Sequence, residues 1–212
     1  MNIESFAVGP FEENTYLLST SQGEAVFIDP GFEGDALADS VRSRGLDLHA
    51  IWLTHAHIDH IGGIAGVKRQ FDVPIYMHPL DLPMYQRGAD VAEMYQLPFD
   101  EPPLPDRSLA EGDTVRVGSL EFRVMHVPGH APGHVAFVGH GVVFGGDCLF
   151  AGSVGRTDLP LADPATFELS LERLAALPPE TRVLPGHGPE TTIARELATN
   201  PFLTGAARIV SR

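Results

Sequence analysis

The chain has 212 residues, of which 43% are hydrophobic and 20% charged, a composition typical of one globular domain. Its formal net charge of −14 leaves no basic field to attract nucleic acid. No apolar run approaches the roughly 20 residues of a transmembrane helix, and the N-terminus lacks the pattern of a signal peptide. The single cysteine, Cys148, excludes a disulfide within the chain. We therefore expect one domain over residues 1–212 in a cytoplasmic protein, with no nucleic-acid or membrane partner.

The first part of the chain consists of short apolar runs between turns, which indicates β-strands. Leu37, Ala38 and Val41 have helical spacing, and Gly45 follows as a helix C-cap signal. The predicted strands are 3–8, 16–19, 25–28, 50–53 and 73–77, and the predicted helices are 34–44 and 61–71.

Residues 79–112 have a different character, because their prolines interrupt any long helix or strand. Short helices are predicted at 80–87 and 90–96. The segment is either a surface excursion that lines a substrate opening or an insertion without function.

The β pattern returns after residue 113 and predicts two hairpins. Further along, Asp163 and Pro164 mark the start of a helix whose apolar residues share one face. The predicted strands are 115–117, 120–126, 135–138, 142–144 and 182–184, and the predicted helices are 163–176 and 189–198. The strands thus occur in two batches, each followed by helices, which predicts a layered α/β fold with two sheets.

Metal-ligand side chains are concentrated directly after the predicted strand 50–53. His55, His57, Asp59 and His60 lie within six residues, and neutral imidazole and carboxylate are common ligands of divalent ions. In an extended segment, positions two apart point the same way, so His55 and His57 can converge on one ion. Asp59 and His60 lie further along and can serve a second ion.

Three later strand ends supply residues that could complete both ligand sets. His130, Asp147 and His187 each follow a predicted strand, and a carboxylate such as Asp147 can bridge two cations. His134 is either a ligand or, preferentially, a hydrogen-bonding support of the site. Cys148 should point away from Asp147, which favours a buried thiol over a ligand. No site role is expected for His49, His78 and His140.

The motifs Thr-His-Ala-His-Ile-Asp-His at 54–60, Pro-Gly-His at 128–130, Gly-Asp at 146–147 and Gly-His at 186–187 resemble those of the metallo-β-lactamase superfamily. The resemblance implies an α/β fold, a four-layer αββα sandwich with its metals at the edge between the two sheets. Within the superfamily, the chain is most similar to short glyoxalase II-like hydrolases (the hydroxyacylglutathione hydrolase type).

This resemblance implies two divalent ions, with zinc the first choice and iron or manganese as alternatives. It implies that His55, His57 and His130 hold one ion, that Asp59, His60 and His187 hold the other, and that Asp147 bridges them. The implied reaction is hydrolysis of a thioester, S-D-lactoylglutathione, to D-lactate and glutathione by a metal-bound hydroxide. Asp59 would be the catalytic residue, as a ligand that orients the nucleophile.

The resemblance also places Arg156 where a basic residue faces the thiol part of the substrate. Its side chain either pairs with a substrate carboxylate or forms an internal ion pair with Asp158. The resemblance implies a small-molecule glutathione conjugate as the partner, and the protein is expected to be a monomer or small homo-oligomer. The C-terminal helical extension of full-length glyoxalase II has no counterpart in the 25 residues after His187.

Other functions share parts of this pattern. Persulfide dioxygenases resemble the chain in the HxHxDH loop and the Gly-Arg-Thr-Asp stretch, but use a single iron; a full second ligand set favours the hydrolase. Lactone or β-lactam hydrolysis is less favoured, because Asp147 stands where some lactamases carry cysteine. A structural metal site in a binding module is disfavoured, because such sites are usually closed and cysteine-rich.

Overall fold

Two six-stranded sheets form the centre of the structure, a computed structural model that describes residues 1–209; the last three residues of the predicted 1–212 domain lie outside the described residues. Each sheet comes from a continuous part of the chain. The first sheet contains β1 (Asn2–Val8), β2 (Glu13–Ser19), β3 (Glu24–Ile28), β4 (Asp47–Trp52), β5 (Ile75–Met77) and β6 (Arg107–Ser108). These strands lie side by side in chain order, antiparallel from β1 to β3 and parallel from β3 to β6.

The second sheet also has six strands. It contains β7 (Thr114–Val117), β8 (Leu120–His126), β9 (Val135–Gly139) and β10 (Val142–Gly146), and a small ribbon of β11 (Leu149–Phe150) and β12 (Ser153–Val154) then precedes β13 (Arg182–Pro185) and β14 (Thr191–Thr192). The order across the sheet is β14-β13-β10-β9-β8-β7, and β10 and β13 are its parallel pair.

Helices cover the outer face of each sheet. They are α1 (Gly34–Ser43), α2 (Ile58–Ile61), α3 (Ile64–Gln70), α4 (Leu82–Tyr85), α5 (Gly88–Tyr95), α6 (Pro164–Ala175) and α7 (Ile193–Thr199), with a 3₁₀ turn at Pro79–Asp81. No helix in residues 1–209 has the length and hydrophobicity that a membrane crossing requires.

Alternation along the strands produces three apolar layers. Successive strand residues face opposite sides, so Leu17 and Phe27 pack against the helices of the first sheet, whereas Leu18 and Trp52 pack against the second sheet. A third cluster, which includes Phe167 of α6, fills the space between the second sheet and its helices. The architecture is therefore the expected four-layer αββα sandwich.

The predicted helix 61–71 is wrong in its extent, because two short helices, α2 and α3, take its place. Gly62 and Gly63 separate them and approach the loop at 30–34 closely: the Gly63 amide donates to the Pro30 carbonyl at 2.9 Å. A Cβ on Gly62 would lie 2.5 Å from the Gly31 carbonyl oxygen. This contact with a distant loop places the break, and it leaves α2 as one turn carrying Asp59 and His60.

The predicted helix 189–198 also begins later than expected. Thr191 and Thr192 pair with β13 as a short strand, and the Thr192 hydroxyl then accepts from the Arg195 amide at 3.2 Å, which caps α7. By contrast, the N-terminus of α6 is as predicted: the Asp163 carboxylate accepts from the Ala165 and Thr166 amides.

Candidate metal centre

The predicted ligands meet at one edge of the sandwich, at the carboxyl ends of strands from both sheets. The cluster that starts at His55 follows β4, His130 follows β8, Asp147 follows β10 and His187 follows β13. Because β4 belongs to the first sheet and the other three strands to the second, the site lies on the seam between them.

The first ligand set contains three imidazoles. His55 Nε2 lies 3.0 Å from His57 Nδ1, and His57 Nδ1 lies 2.8 Å from His130 Nε2. Asp147 Oδ2 is 3.5 Å from His130 Nε2. Ligands arranged around an ion with bonds of about 2.0–2.2 Å are separated by distances of this order.

The second ligand set lies on the other side of Asp147. His187 Nε2 is 3.2 Å from Asp59 Oδ2, and His60 Nε2 is 4.0 Å from the same oxygen. Asp147 Oδ1 lies 3.5 Å from His60 Nε2, while Asp147 Oδ2 lies 3.6 Å from His187 Nε2. Asp147 thus stands between the two sets, and the structure brings together all seven predicted ligands.

Hydrogen bonds at the Nδ1 atoms turn the Nε2 lone pairs toward the site. His130 Nδ1 donates to the Arg156 carbonyl at 2.7 Å, and His187 Nδ1 donates to the Phe11 carbonyl at 3.1 Å. A carbonyl can only accept, so the proton of each ring sits on Nδ1 and Nε2 is left free to bind an ion. His60 Nδ1 has the same arrangement with Asp29 Oδ2, at 2.9 Å.

His55 is oriented by a short relay. The Thr54 hydroxyl donates to Asp29 Oδ2 at 2.6 Å, so its oxygen can accept from His55 Nδ1 at 3.0 Å. Asp29 therefore fixes the tautomers of both His55 and His60, directly or through Thr54. It also lies close enough to both rings to form a third group of potential ligands, but its carboxylate oxygens are already engaged by Thr54 and His60.

The protonation states fit a cation. Burial lowers the pKa of His55 well below its usual range and that of His57 to about 3, so both rings are neutral. Burial also disfavours charge on His60, but Asp147 and Asp29 outweigh it and raise the His60 pKa well above its usual range. A divalent ion would replace that proton, since ligand imidazoles bind metal in the neutral form.

Buried atoms without hydrogen-bond partners provide a direct test of fit. His60 Nε2 and Asp147 Oδ1 are both buried and unpartnered in the described part of the chain. Orphaned buried polar atoms are costly unless a ligand or ion satisfies them. A Cβ at Gly186 would collide with Asp147 Oδ1 and crowd the His60 ring, so glycine keeps this space open. The residues present therefore fit divalent metal ions.

The structure also shows where the histidines and the cysteine outside the seven predicted ligands lie. His134 Nε2 accepts from the Asp147 amide at 3.0 Å and its ring stacks on His55 with centroids 4.7 Å apart. Cys148 is buried, with Sγ 3.5 Å from the Val127 carbonyl oxygen. His49 and His140 bond to Asp47 and to the Glu121 amide respectively, away from the site.

The backbone and the side chain of Arg156 make different contacts beside the site. Its carbonyl accepts from His130, while its guanidinium, 66% exposed, forks onto Asp158 at 2.8 and 3.0 Å. The structure thus contains the internal ion pair, and the substrate role of Arg156 stays a prediction. Nearby, the Tyr95 ring at the end of α5 packs edge-on against Phe11 at 5.6 Å, which brings segment 79–112 to the rim of the site.

Sequence reasoning missed three buried acids around the ligands. Asp29 directly follows the predicted strand 25–28, and neither its place in the site nor its left-handed backbone (φ 50°) was predicted. Glu13 is buried, accepts from the Thr15 hydroxyl, and has Oε1 3.7 Å from His60 Nδ1; burial raises its pKa well above the usual range. The third, Asp81, lies in the proline-rich segment. A carboxylate directly after a buried strand was the available signal for Asp29.

Comparison with known proteins shows the family to which the chain belongs. The family model described as the metallo-beta-lactamase superfamily matches residues 8–187. Hydroxyacylglutathione hydrolase GloC of Haemophilus influenzae is 36% identical over 208 residues, which cover 96% of this chain and 98% of the relative.

Three solved structures share the fold. TTHA1623, in a di-iron-bound form, is 50% identical with a TM-score of 0.87, covering 94% of this chain and 100% of that one. BLEG-1, a B3 metallo-beta-lactamase, is 36% identical with a TM-score of 0.91, covering 96% and 100%. ETHE1 from Myxococcus xanthus is 28% identical with a TM-score of 0.80, covering 97% and 85%. The chain belongs to the metallo-β-lactamase superfamily, whose metal-binding site is the cluster of histidines and aspartates at the seam of its two sheets.

Proposed function

We propose that this protein is a binuclear metallohydrolase that cleaves a thioester, with S-D-lactoylglutathione as the first candidate substrate. The observation that carries the proposal is the completeness of the second ligand set: Asp59, His60 and His187 adjoin the first set and share Asp147 with it. The relative named hydroxyacylglutathione hydrolase GloC supports this reaction. Zinc is the first metal to test, and the di-iron form of TTHA1623 makes iron the second.

The two ions, when bound, lower the pKa of water and polarise the carbonyl of the substrate. The positions of Asp147 and Asp59 determine where the ions and the nucleophile would lie. Asp147 lies 3.5 Å from His130 of the first set and 3.5 Å from His60 of the second, and within the second set Asp59 lies 3.2 Å from a ring nitrogen of His187. Asp59 would orient the nucleophile as well as bind metal.

The substrate would approach from the side of the partly exposed ligands. These are His57 of the first set and Asp59 and His187 of the second, whereas His55, His60 and His130 are buried. A thiolate is a good leaving group, so the departing thiol needs little help from a general acid. The exposed guanidinium of Arg156 donates two hydrogen bonds to the Asp158 carboxylate. A carboxylate of the departing thiol could replace Asp158 there, because both are planar anions that accept the same two N–H groups.

Metal analysis and thioester hydrolysis on one purified sample test the proposal. We expect about two ions per chain and release of glutathione from S-D-lactoylglutathione. His187→Ala should lose one ion and most activity, whereas His49→Ala, at an exposed imidazole outside the site, should behave as wild type. Metal-replete protein that leaves the thioester intact at high enzyme concentration would refute the substrate; a D-lactoyl ester of a simple thiol separates a thioesterase from a glutathione-specific enzyme.

A second candidate function is oxidation of glutathione persulfide by dioxygen at a single-iron site, as in persulfide dioxygenases. The similarity to ETHE1 favours testing it. One iron per chain, oxygen consumption on glutathione persulfide and no thioester hydrolysis would establish this alternative. A β-lactam belongs in the same panel because of the similarity to BLEG-1. Cytoplasmic location and a monomeric or small homo-oligomeric state stay predictions.

A further inference from the structure

The first ligand set requires precise alignment of two loops that belong to different sheets. His57 lies on the loop after β4 and His130 on the loop after β8, yet their ring nitrogens are 2.8 Å apart. One backbone bond, from the Val135 amide to the Thr54 carbonyl at 2.8 Å, joins these loops at their base. A second connection lies nearer the ligands.

Asp81 bridges the two loops with its carboxylate. Oδ2 accepts from the Ala56 amide at 3.1 Å, and Oδ1 accepts from the Gly133 amide at 2.5 Å. Ala56 stands between the ligands His55 and His57, and Gly133 lies three residues beyond His130. The Asp81 side chain is 1% exposed, so water does not compete for these bonds.

The turn that carries Asp81 is itself fixed to the second loop. The His78 ring stacks on His126 with centroids 4.3 Å apart and planes 4° from parallel. His126 Nε2 in turn donates to the Pro132 carbonyl at 2.9 Å, next to Gly133. Asp81 is therefore held by a rigid turn and reaches both ligand loops from one point.

A carboxylate satisfies both amides, whereas the amide side chain of the same shape does not. Two backbone N–H groups face it, and both of its oxygens act as acceptors. An asparagine would oppose one N–H with its own amide group, leaving two buried donors face to face. Burial raises the pKa of Asp81 to about 6, and the two amides oppose that shift, so the group is an acceptor at neutral pH.

We propose that Asp81 is a positioning residue that sets the spacing of His57 and His130 and thereby the affinity of the first ligand set for its ion. The proposal rests on the proposed metal-dependent function, but concerns a residue outside both ligand sets. It gives the first turn of segment 79–112 a role in the site, whereas the sequence left that segment as either a substrate opening or an insertion.

Asp81→Asn is the test, and Asp106→Asn is its matched control. Asp106 lies near the other end of the same segment and its carboxylate accepts from one amide, that of Ile75, at 2.9 Å, away from the ligand loops. Zinc affinity is measured by chelator competition, and the ligand field by the visible spectrum of the cobalt(II)-substituted proteins. Both readouts are independent of catalysis.

In Asp81→Asn we expect one zinc ion to bind about tenfold to a hundredfold more weakly, the range found when groups that orient metal ligands are removed. The other ion should keep wild-type affinity, and the cobalt spectrum should change. Asp106→Asn should keep both affinities and the wild-type spectrum. Asp81→Glu retains both acceptor oxygens and should recover part of the lost affinity; it also provides the measurement if Asp81→Asn does not fold.

The outcomes separate this inference from the proposed function. Wild-type protein that binds no zinc, iron or cobalt would overturn both. Wild-type protein that binds two ions, with unchanged affinities and spectrum in the Asp81 variants, would overturn only the positioning role. Equal losses in Asp81→Asn and Asp106→Asn would also overturn it, because they would reflect general destabilisation of the segment.

Discussion

Asp29→Asn is the most informative single substitution, because one carboxylate serves three donors. Asp29 Oδ1 accepts from the Thr54 amide at 2.7 Å, and Oδ2 accepts from the Thr54 hydroxyl at 2.6 Å and from His60 Nδ1 at 2.9 Å. Asparagine has nearly the same shape but replaces one oxygen with an NH₂ group. The side chain has two orientations, and each gives a different loss.

If the NH₂ group takes the place of Oδ2, it donates to His60 Nδ1. The proton of His60 must then move to Nε2, the atom that faces Asp147, and the ring can no longer bind the ion. A loss of about tenfold to a hundredfold in metal affinity follows, or about 1.4–2.7 kcal/mol. If the NH₂ group takes the place of Oδ1, it opposes the Thr54 N–H, and the unsatisfied buried donor costs about 1–3 kcal/mol of unfolding free energy.

Two measurements on the same protein cover both orientations: zinc affinity by chelator competition, and urea unfolding of the metal-free form. Asp47→Asn is the matched control, since Asp47 pairs with His49 at 2.9 Å on the exposed surface. We expect Asp29→Asn to lower the zinc affinity, the unfolding free energy or both, whereas Asp47→Asn should lower neither. Wild-type affinity together with a wild-type urea midpoint in Asp29→Asn would refute the role assigned to this carboxylate.

Further predictions concern the space around the ligands, the rim, acid stability and metal removal. Gly186→Ala places a methyl group against Asp147, and a ligand displaced by about 1 Å should lower kcat by about a hundredfold, measured by steady-state kinetics. Tyr95→Ala removes an aromatic contact with Phe11 at the rim and should raise KM about twofold to tenfold with kcat nearly unchanged; an unchanged KM would place the substrate elsewhere. Burial, with a neighbouring imidazole, lowers the pKa of His78 to about 4 from 6.5, so its contribution to stability is complete above about pH 6.5 and is lost as pH falls through about 4. His78→Gln should therefore flatten that part of the pH dependence of urea unfolding in metal-free protein. A chelator should lower the unfolding temperature of wild-type protein, and added zinc should restore it, because the ions bind the folded state.

The sequence predicts the parts of the site that carry local signals. His55, His57, Asp59 and His60 are recognisable because they crowd into one loop after a buried strand. His130, Asp147 and His187 follow from their repeated position at strand ends, since such ends converge in a layered fold. The comparisons confirm the superfamily and its fold. The individual ligand assignments and the single domain over residues 1–212 stay predictions.

The parts that the sequence does not predict depend on long-range contacts. Asp29 meets Thr54 across 25 residues, and Asp81 meets Gly133 across 52. A lone aspartate in a turn is compatible with an ordinary capping role. Asp29 has one local signal, its position directly after a buried strand, and Asp81 has none. The two-residue strand β6 exists only through its pairing with β5, and the break in the predicted helix 61–71 is caused by a loop some 30 residues earlier.

Because each sheet comes from one half of the chain, each ion of the proposed binuclear site would link the two halves. The first sheet ends at Ser108 and the second begins at Thr114, so a cut in the turn at residues 110–113 would separate the loop of His55 to His60 from His130, Asp147 and His187. The two fragments would retain complementary apolar faces, and zinc would add to their affinity by requiring donors from both. Their reassociation would then report zinc concentration, turning a metalloenzyme scaffold into a two-piece sensor.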